Sequence, residues 1–109
     1  MKVALCQINP TVGSISDNVR KIIDVYKDAL GNNCDIIVFP ELAITGYPPQ
    51  DLLLIDKFIE ANSRALNKIV KQVTVPAIIG YVRQQKGNLY NTAALACNGK
   101  IVHEFDKIL

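Results

Sequence analysis

Charge of one sign is nearly absent in excess: 12 Lys and Arg stand against 10 Asp and Glu, a net +2 over 109 residues. That imbalance is too small to imply a polyanionic partner, and no Lys/Arg cluster interleaved with aromatics marks a nucleic-acid surface. Cysteine and histidine are scarce as well. Cys6, Cys34 and Cys97 form an odd set at irregular spacing without a C-x-x-C pair, and there is a single His. This argues against a disulfide framework and against a zinc site. Long apolar runs are also lacking, since after Met1-Lys2 the apolar stretch reaches only from Val3 to Cys6 before Gln7 interrupts it. Such a stretch is far too short for a signal-peptide core or a membrane span, so the expectation is a cytoplasmic protein that engages neither membrane nor nucleic acid. Repeats and low-complexity linkers are missing too, which leaves one domain over residues 1–109.

What is present is the composition of a globular α/β protein, half apolar and one fifth charged. Lys2 to Ile8 reads as a strand whose continuous apolar stretch suits a sheet covered on both faces. Ser16 or Asp17 can cap a helix in which Val19, Ile22, Ile23, Tyr26, Ala29 and Leu30 recur at helical spacing, and Gly31 is placed to end it. Asp35 to Phe39 is a second strand, expected to lie parallel to the first. Apolar residues at helical intervals predict a second helix over about 56–73. Pro76 breaks that pattern, and Ala77 to Val82 reads as a third strand. Lys86-Gly87-Asn88 is a loop signal, Leu89 to Cys97 a fourth strand, Asn98-Gly99 a type I′ turn, and Lys100 to Phe105 a fifth strand. The order β-α-β-α-β-β-β begins parallel, ends in hairpins, and leaves the last strand as an edge.

The most informative residue is Glu41. It follows the strand Asp35 to Phe39 and Pro40, and precedes Leu42-Ala43-Ile44, so a carboxylate is delivered at the carboxyl end of a core strand, where open α/β sheets place their chemistry. A solvated loop carboxylate is the plain alternative. Its apolar neighbours instead predict partial burial, which raises a carboxyl pKa and improves a general base near neutral pH. Lys107 is by default a surface lysine at a strand end. On a strand near Glu41 it would orient a base and stabilise an oxyanion. Tyr47, in Gly46-Tyr47-Pro48-Pro49, is either part of a stiff turn or the amphipathic face of a binding wall. Cys6 and Cys97 read as core thiols, Cys34 as a turn residue, and none has the cationic surroundings that lower a thiol pKa. His103 reads as a surface or structural residue.

Taken together, Met1-Lys2-Val3-Ala4-Leu5-Cys6-Gln7-Ile8-Asn9-Pro10, Phe39-Pro40-Glu41-Leu42, Thr45-Gly46-Tyr47, Asn91-Thr92-Ala93 and Asp106-Lys107 resemble the nitrilase or carbon-nitrogen hydrolase superfamily over the whole chain. Gly46-Tyr47-Pro48-Pro49-Gln50-Asp51-Leu52-Leu53 looks specifically like the amidase domain of glutamine-dependent NAD synthetases. The resemblance implies an α-β-β-α sandwich, of which this chain is the first half. It also implies a Glu-Lys-Cys triad, in which Glu41 matches the base, Lys107 the oxyanion-stabilising lysine and Tyr47 an aromatic at the glutamine pocket. The family's nucleophilic cysteine lies beyond position 109. The chain is therefore expected to be an amino-terminal piece, inactive by itself and without a cofactor of its own. ATP, Mg and deamido-NAD belong to an absent synthetase domain that uses the ammonia. Rival readings are another carbon-nitrogen hydrolase, such as a nitrilase or ω-amidase, and a non-catalytic module that pairs with a partner or with itself. A homo-oligomer is expected.

Overall fold

A computed structural model describes residues 1–46 and 55–108. Five strands form one sheet in the order β1-β2-β3-β4-β5, with β1 Val3–Leu5, β2 Ile36–Val38, β3 Ala77–Gln85, β4 Asn88–Cys97 and β5 Lys100–Ile108. The first three are mutually parallel and the last three form an antiparallel meander. Helices α1 (Ile15–Leu30) and α2 (Asp56–Val70) supply the crossovers. This is the mixed α/β plan expected, one helical layer on one sheet.

The buried stripe of α1 is Val19, Ile22, Tyr26 and Ala29 and that of α2 includes Ala65, Leu66 and Ile69, at the i, i+3, i+4 spacing that lays one helix side against a sheet. They pack with Ile37, Ala77, Ile79, Tyr81, Ala94 and Ala96, residues of one sheet parity. The Tyr26 hydroxyl ties α1 to the entry of β3, donating to the Val75 carbonyl at 2.8 Å and accepting the Thr74 amide at 3.0 Å.

Several boundaries differ from expectation. α1 starts earlier, at Ile15 with Ser14 in the capping position, where Ser14 Oγ donates to Asp17 at 2.7 Å. Gly31 ends the helix in right-handed geometry (φ −64°), and the left-handed residue is Asn33 (φ 56°), a side chain that tolerates that region. α2 stops at Val70, and residues 71–73 finish it as a tight turn through the bonds Gln72 N to Ile69 O and Val73 N to Val70 O. β1 spans only Val3–Leu5 and is not covered on both faces: Val3 is 47% and Leu5 76% exposed, while Ala4 and Cys6 face the core. β3 and β5 run longer, to Gln85 and Ile108, because a two-residue turn at Lys86-Gly87 starts β4 at Asn88 and gives the end of β5 a partner. Lys86, Gly87, Asn98 and Gly99 have φ of 50°, 79°, 51° and 78°, the left-handed pairs a type I′ turn requires.

Candidate active site

The site begins where β2 ends. Phe39 N still bonds Ile78 O at 2.9 Å, but Pro40 has no amide to donate and the ladder stops. The chain then folds across β3 so closely that a Cβ on Gly80 would lie 2.4 Å from Pro40 O, 2.6 Å from Leu42 N and 2.8 Å from Glu41 Cα. Only glycine admits that approach. Leu42 turns with φ 50°, and Leu42, Ala43 and Ile44 sink to 1%, 0% and 0% exposure.

Asn18, fully buried on α1, holds the far end of this turn: its amide nitrogen donates to Ile44 O at 2.9 Å and Thr11 O at 2.8 Å, and its oxygen accepts Thr11 N at 2.7 Å. Gly13 N adds a bond to Thr45 O at 3.0 Å. The turn that carries Glu41 is thus pinned to β3 and to the start of α1.

Burial of Glu41 was the expectation, and it fails. The residue is exposed, because its three apolar successors take the inward positions and leave the carboxylate on the outer rim. It nevertheless borders a cleft of about 230 Å³ that Lys107 also lines. Val82, Asn91 and Lys107 are register partners across three strands, as are Gly80, Ala93 and Phe105, so all six share one face of the sheet. Glu41 and Lys107, far apart in sequence, therefore meet at one site. Asn91, 8% exposed, sits directly opposite Lys107. Tyr47 lies outside the described residues. None of Cys6, Cys34 and Cys97 lines the cleft, and the Cys6 thiol is pushed up by burial and then by Cys34, the wrong direction for a nucleophile. No group of metal-ligating side chains occurs among the described residues. No helix among them is long and apolar enough to cross a membrane.

Asn91 and Gly80 were not picked out as site residues from sequence. A polar residue inside the apolar run Leu89 to Cys97 was the available signal for Asn91. A glycine inside a strand, which often marks a close backbone approach, was the signal for Gly80.

The reverse face of β5 carries a second polar group. Arg83 Nε donates to Asp106 Oδ1 at 3.0 Å, its Nη2 bonds the other carboxylate oxygen, and Thr92 Oγ1 donates to Oδ1 at 2.6 Å. The Arg83 guanidinium, followed by the Thr92 hydroxyl, holds the Asp106 carboxyl below the usual range. Tyr81 donates its hydroxyl to Glu104. Its phenol is pushed up by burial first and by that bond second.

The carbon-nitrogen hydrolase family model matches residues 2–109. A glutamine-dependent NAD(+) synthetase of Thermotoga maritima is 34% identical over 111 residues, covering 99% of this chain and 19% of the relative. The solved glutamine-dependent NAD+ synthetase of Acinetobacter baumannii superposes with a TM-score of 0.91 at 34% identity, over 97% of this chain and 20% of that one. An amidase from Nesterenkonia sp., 22% identical, shares the fold with a TM-score of 0.83 over the whole of this chain and 43% of its own. The chain thus spans about a fifth of the length of the NAD synthetases it matches. With the family model matched along nearly every residue and the fold superposing on a solved relative at 34% identity, the chain belongs to the carbon-nitrogen hydrolase family.

Proposed function

We propose that this chain contributes the base and the oxyanion-stabilising lysine of a glutamine amidase that supplies ammonia for NAD synthesis. The observation that carries this reading is the convergence of Glu41 and Lys107 on one cleft, joined to the similarity with glutamine-dependent NAD synthetases. Glu41 takes the proton of a cysteine thiol. The thiolate attacks the side-chain amide carbon of glutamine, and the Lys107 ammonium stabilises the oxygen as it becomes negative. Collapse of that intermediate breaks the C–N bond, the proton returns to nitrogen, and ammonia leaves. Water then cleaves the thioester and yields glutamate. By resemblance, Tyr47 is the aromatic assigned to glutamine binding. The nucleophile is supplied from outside these 109 residues, because no cysteine here reaches the cleft, and so is the ATP- and Mg-dependent step that consumes the ammonia.

The test grafts residues 1–109 in place of the matching segment of the Thermotoga maritima relative. Glutamine-driven NAD formation is expected in the graft. In Glu41→Gln and Lys107→Ala it should fall by about 10²- to 10⁴-fold, the usual contribution of a positioned acid or base, while amidation from added ammonia stays unchanged. Survival of glutamine-driven turnover in Glu41→Gln refutes the base assignment. Glutaminase activity from the unassisted chain refutes the external nucleophile.

A module that pairs with a second copy is the other reading, favoured by Leu5 at 76% and Phe105 at 56% exposure on one sheet face. Size-exclusion chromatography that returns a well-folded dilute monomer counts against it.

A further inference from the structure

Lys107 reaches the site face only because the β4/β5 ladder is irregular. From the turn, Cys97 pairs with Lys100 and Ala96 with Ile101, but Leu95 then pairs with His103, so Val102 is an extra residue opposite nothing. Such a bulge inserts one residue and moves the remainder of the strand by one position. Continued without the bulge, the ladder would set Lys107 opposite Tyr90 rather than Asn91. A one-residue slip sends every side chain to the other face, so Lys107 would then point away from Glu41.

The turn alone does not choose between these registers, since both are compatible with the pairs nearest Asn98-Gly99. Only beyond the bulge do side chains discriminate. In the observed register Asp106 stands opposite Thr92, which is 1% exposed, and Thr92 lies opposite Tyr81 on β3. Asp106 accepts from Thr92 and, across β4, from both nitrogens of the Arg83 fork. Glu104 accepts the Tyr81 hydroxyl over the small Ala94, its own register partner. A one-residue slip would carry Asp106 and Glu104 to the opposite face and break each of these bonds. Fork-shaped pairing of guanidinium and carboxylate is geometrically selective as well as strong. β5 is an edge strand, with neighbouring strand pairing on one side only to hold it.

We propose that Asp106, gripped by Arg83 and Thr92, is a register lock whose function is to position Lys107 on the face of the sheet that carries Glu41. The catalytic consequence rests on the reading of Lys107 given above; the lock itself does not. Arg83 acts through Asp106, from the face opposite the site, and is a positioning residue.

The experiment is NMR on the 109-residue chain, reading cross-strand contacts of Lys107 and amide exchange over residues 105–108. The parent should show Lys107 opposite Asn91 alone. Arg83→Gln and Asp106→Asn should each add a population with Lys107 opposite Tyr90 and speed exchange at 105–108 by roughly tenfold, the order expected for loss of a charge-assisted pair. Exchange in β1 to β3 should not follow. Deleting Val102 supplies the rescue: it removes the bulge while keeping His103 opposite Leu95, so only one register fits the turn, and Asp106→Asn in that background should keep Lys107 opposite Asn91. Both variants retaining the Asn91 contact with exchange within about twofold of the parent would overturn the lock. So would Asp106→Asn unfolding the chain whether or not Val102 is present, which would mark the pair as a general stabiliser. If instead the lock behaves as stated while Lys107→Ala leaves the graft active, the catalytic reading fails and the lock stands.

Discussion

Replacing Gly80 by alanine adds one methyl group at the point where the Glu41 turn crosses β3, and the three nearest atoms it meets are all backbone. The distances are 2.4 Å to Pro40 O, 2.6 Å to Leu42 N and 2.8 Å to Glu41 Cα, all inside the range that real Cβ contacts avoid. No rotamer change relieves such contacts. Overfilling a packed site typically costs about 1–3 kcal/mol, and a clash against main chain on several sides belongs at the upper end, about 3 kcal/mol. Alanine recovers about 0.5–1 kcal/mol by restricting the unfolded chain, which leaves a net loss of about 2–2.5 kcal/mol. With a urea slope of about 1.5 kcal/mol per molar, the unfolding midpoint should drop by about 1.5 M. Gly87→Ala is the control, because nothing lies within 4 Å of its Cβ and only its φ of +79° resists substitution, at about 1–2 kcal/mol. Gly80→Ala should also raise exchange at the Phe39 and Ile44 amides, which bond the Ile78 and Gly80 carbonyls. Gly87→Ala should leave those amides alone. Equal midpoints for the two variants, with unaltered exchange at Phe39 and Ile44, would refute the close-approach argument and the pinned turn with it.

Asn18→Leu removes three bonds to Thr11 and Ile44 from a fully buried position. It should cost about 2–4 kcal/mol and lower Tm by about 10–20 °C, measured by calorimetry. Tyr26→Phe loses the hydroxyl that bonds Val75 and Thr74, and a loss of about 1–2 kcal/mol is expected from urea titration. The lowered Asp106 carboxyl ties stability to pH: its contribution is fully present above the ordinary aspartate range and is lost as pH falls through the lowered folded value. The gap in urea midpoint between the parent and Arg83→Gln should therefore stay constant from pH 7 to about 5 and close in acid below about pH 4. A gap that widens in acid would contradict this sign.

Much of the architecture could be read before any coordinates, because α1 and α2 announce themselves by spacing and Lys86-Gly87 and Asn98-Gly99 by their turn chemistry. What failed did so for local reasons. An apolar run such as Val3 to Cys6 predicts coverage on both faces, yet Ala4 and Cys6 meet helices while Val3 and Leu5 do not, a distinction that depends on what lies above the sheet. The face that Lys107 occupies could not be counted forward from the Asn98-Gly99 turn, since the extra residue at Val102 carries no propensity signal of its own. Gly80, a glycine inside a strand, signals a close approach, but which segment approaches is visible only once the main chain of Pro40 and Leu42 is seen resting on it.

The failed burial of Glu41 separates two requirements that its proposed role as a general base would impose, aim and dryness. Aim is built into these residues, through the Gly80 approach, the Asn18 bonds and the register that brings Lys107 to the same cleft. Dryness is not, since Glu41 and Lys107 are both exposed, and an ion pair or oxyanion contact in water is worth far less than in an enclosed site. The face that would have to be closed is the one bearing Phe105, beside the cleft, and Leu5, further along the same sheet side. Covering the cleft and covering this apolar surface are thus one physical event. Whatever activates Glu41 should protect Phe105 from solvent in the same step, and an active assembly in which Phe105 stays as accessible as in the isolated chain would separate the two and break the inference.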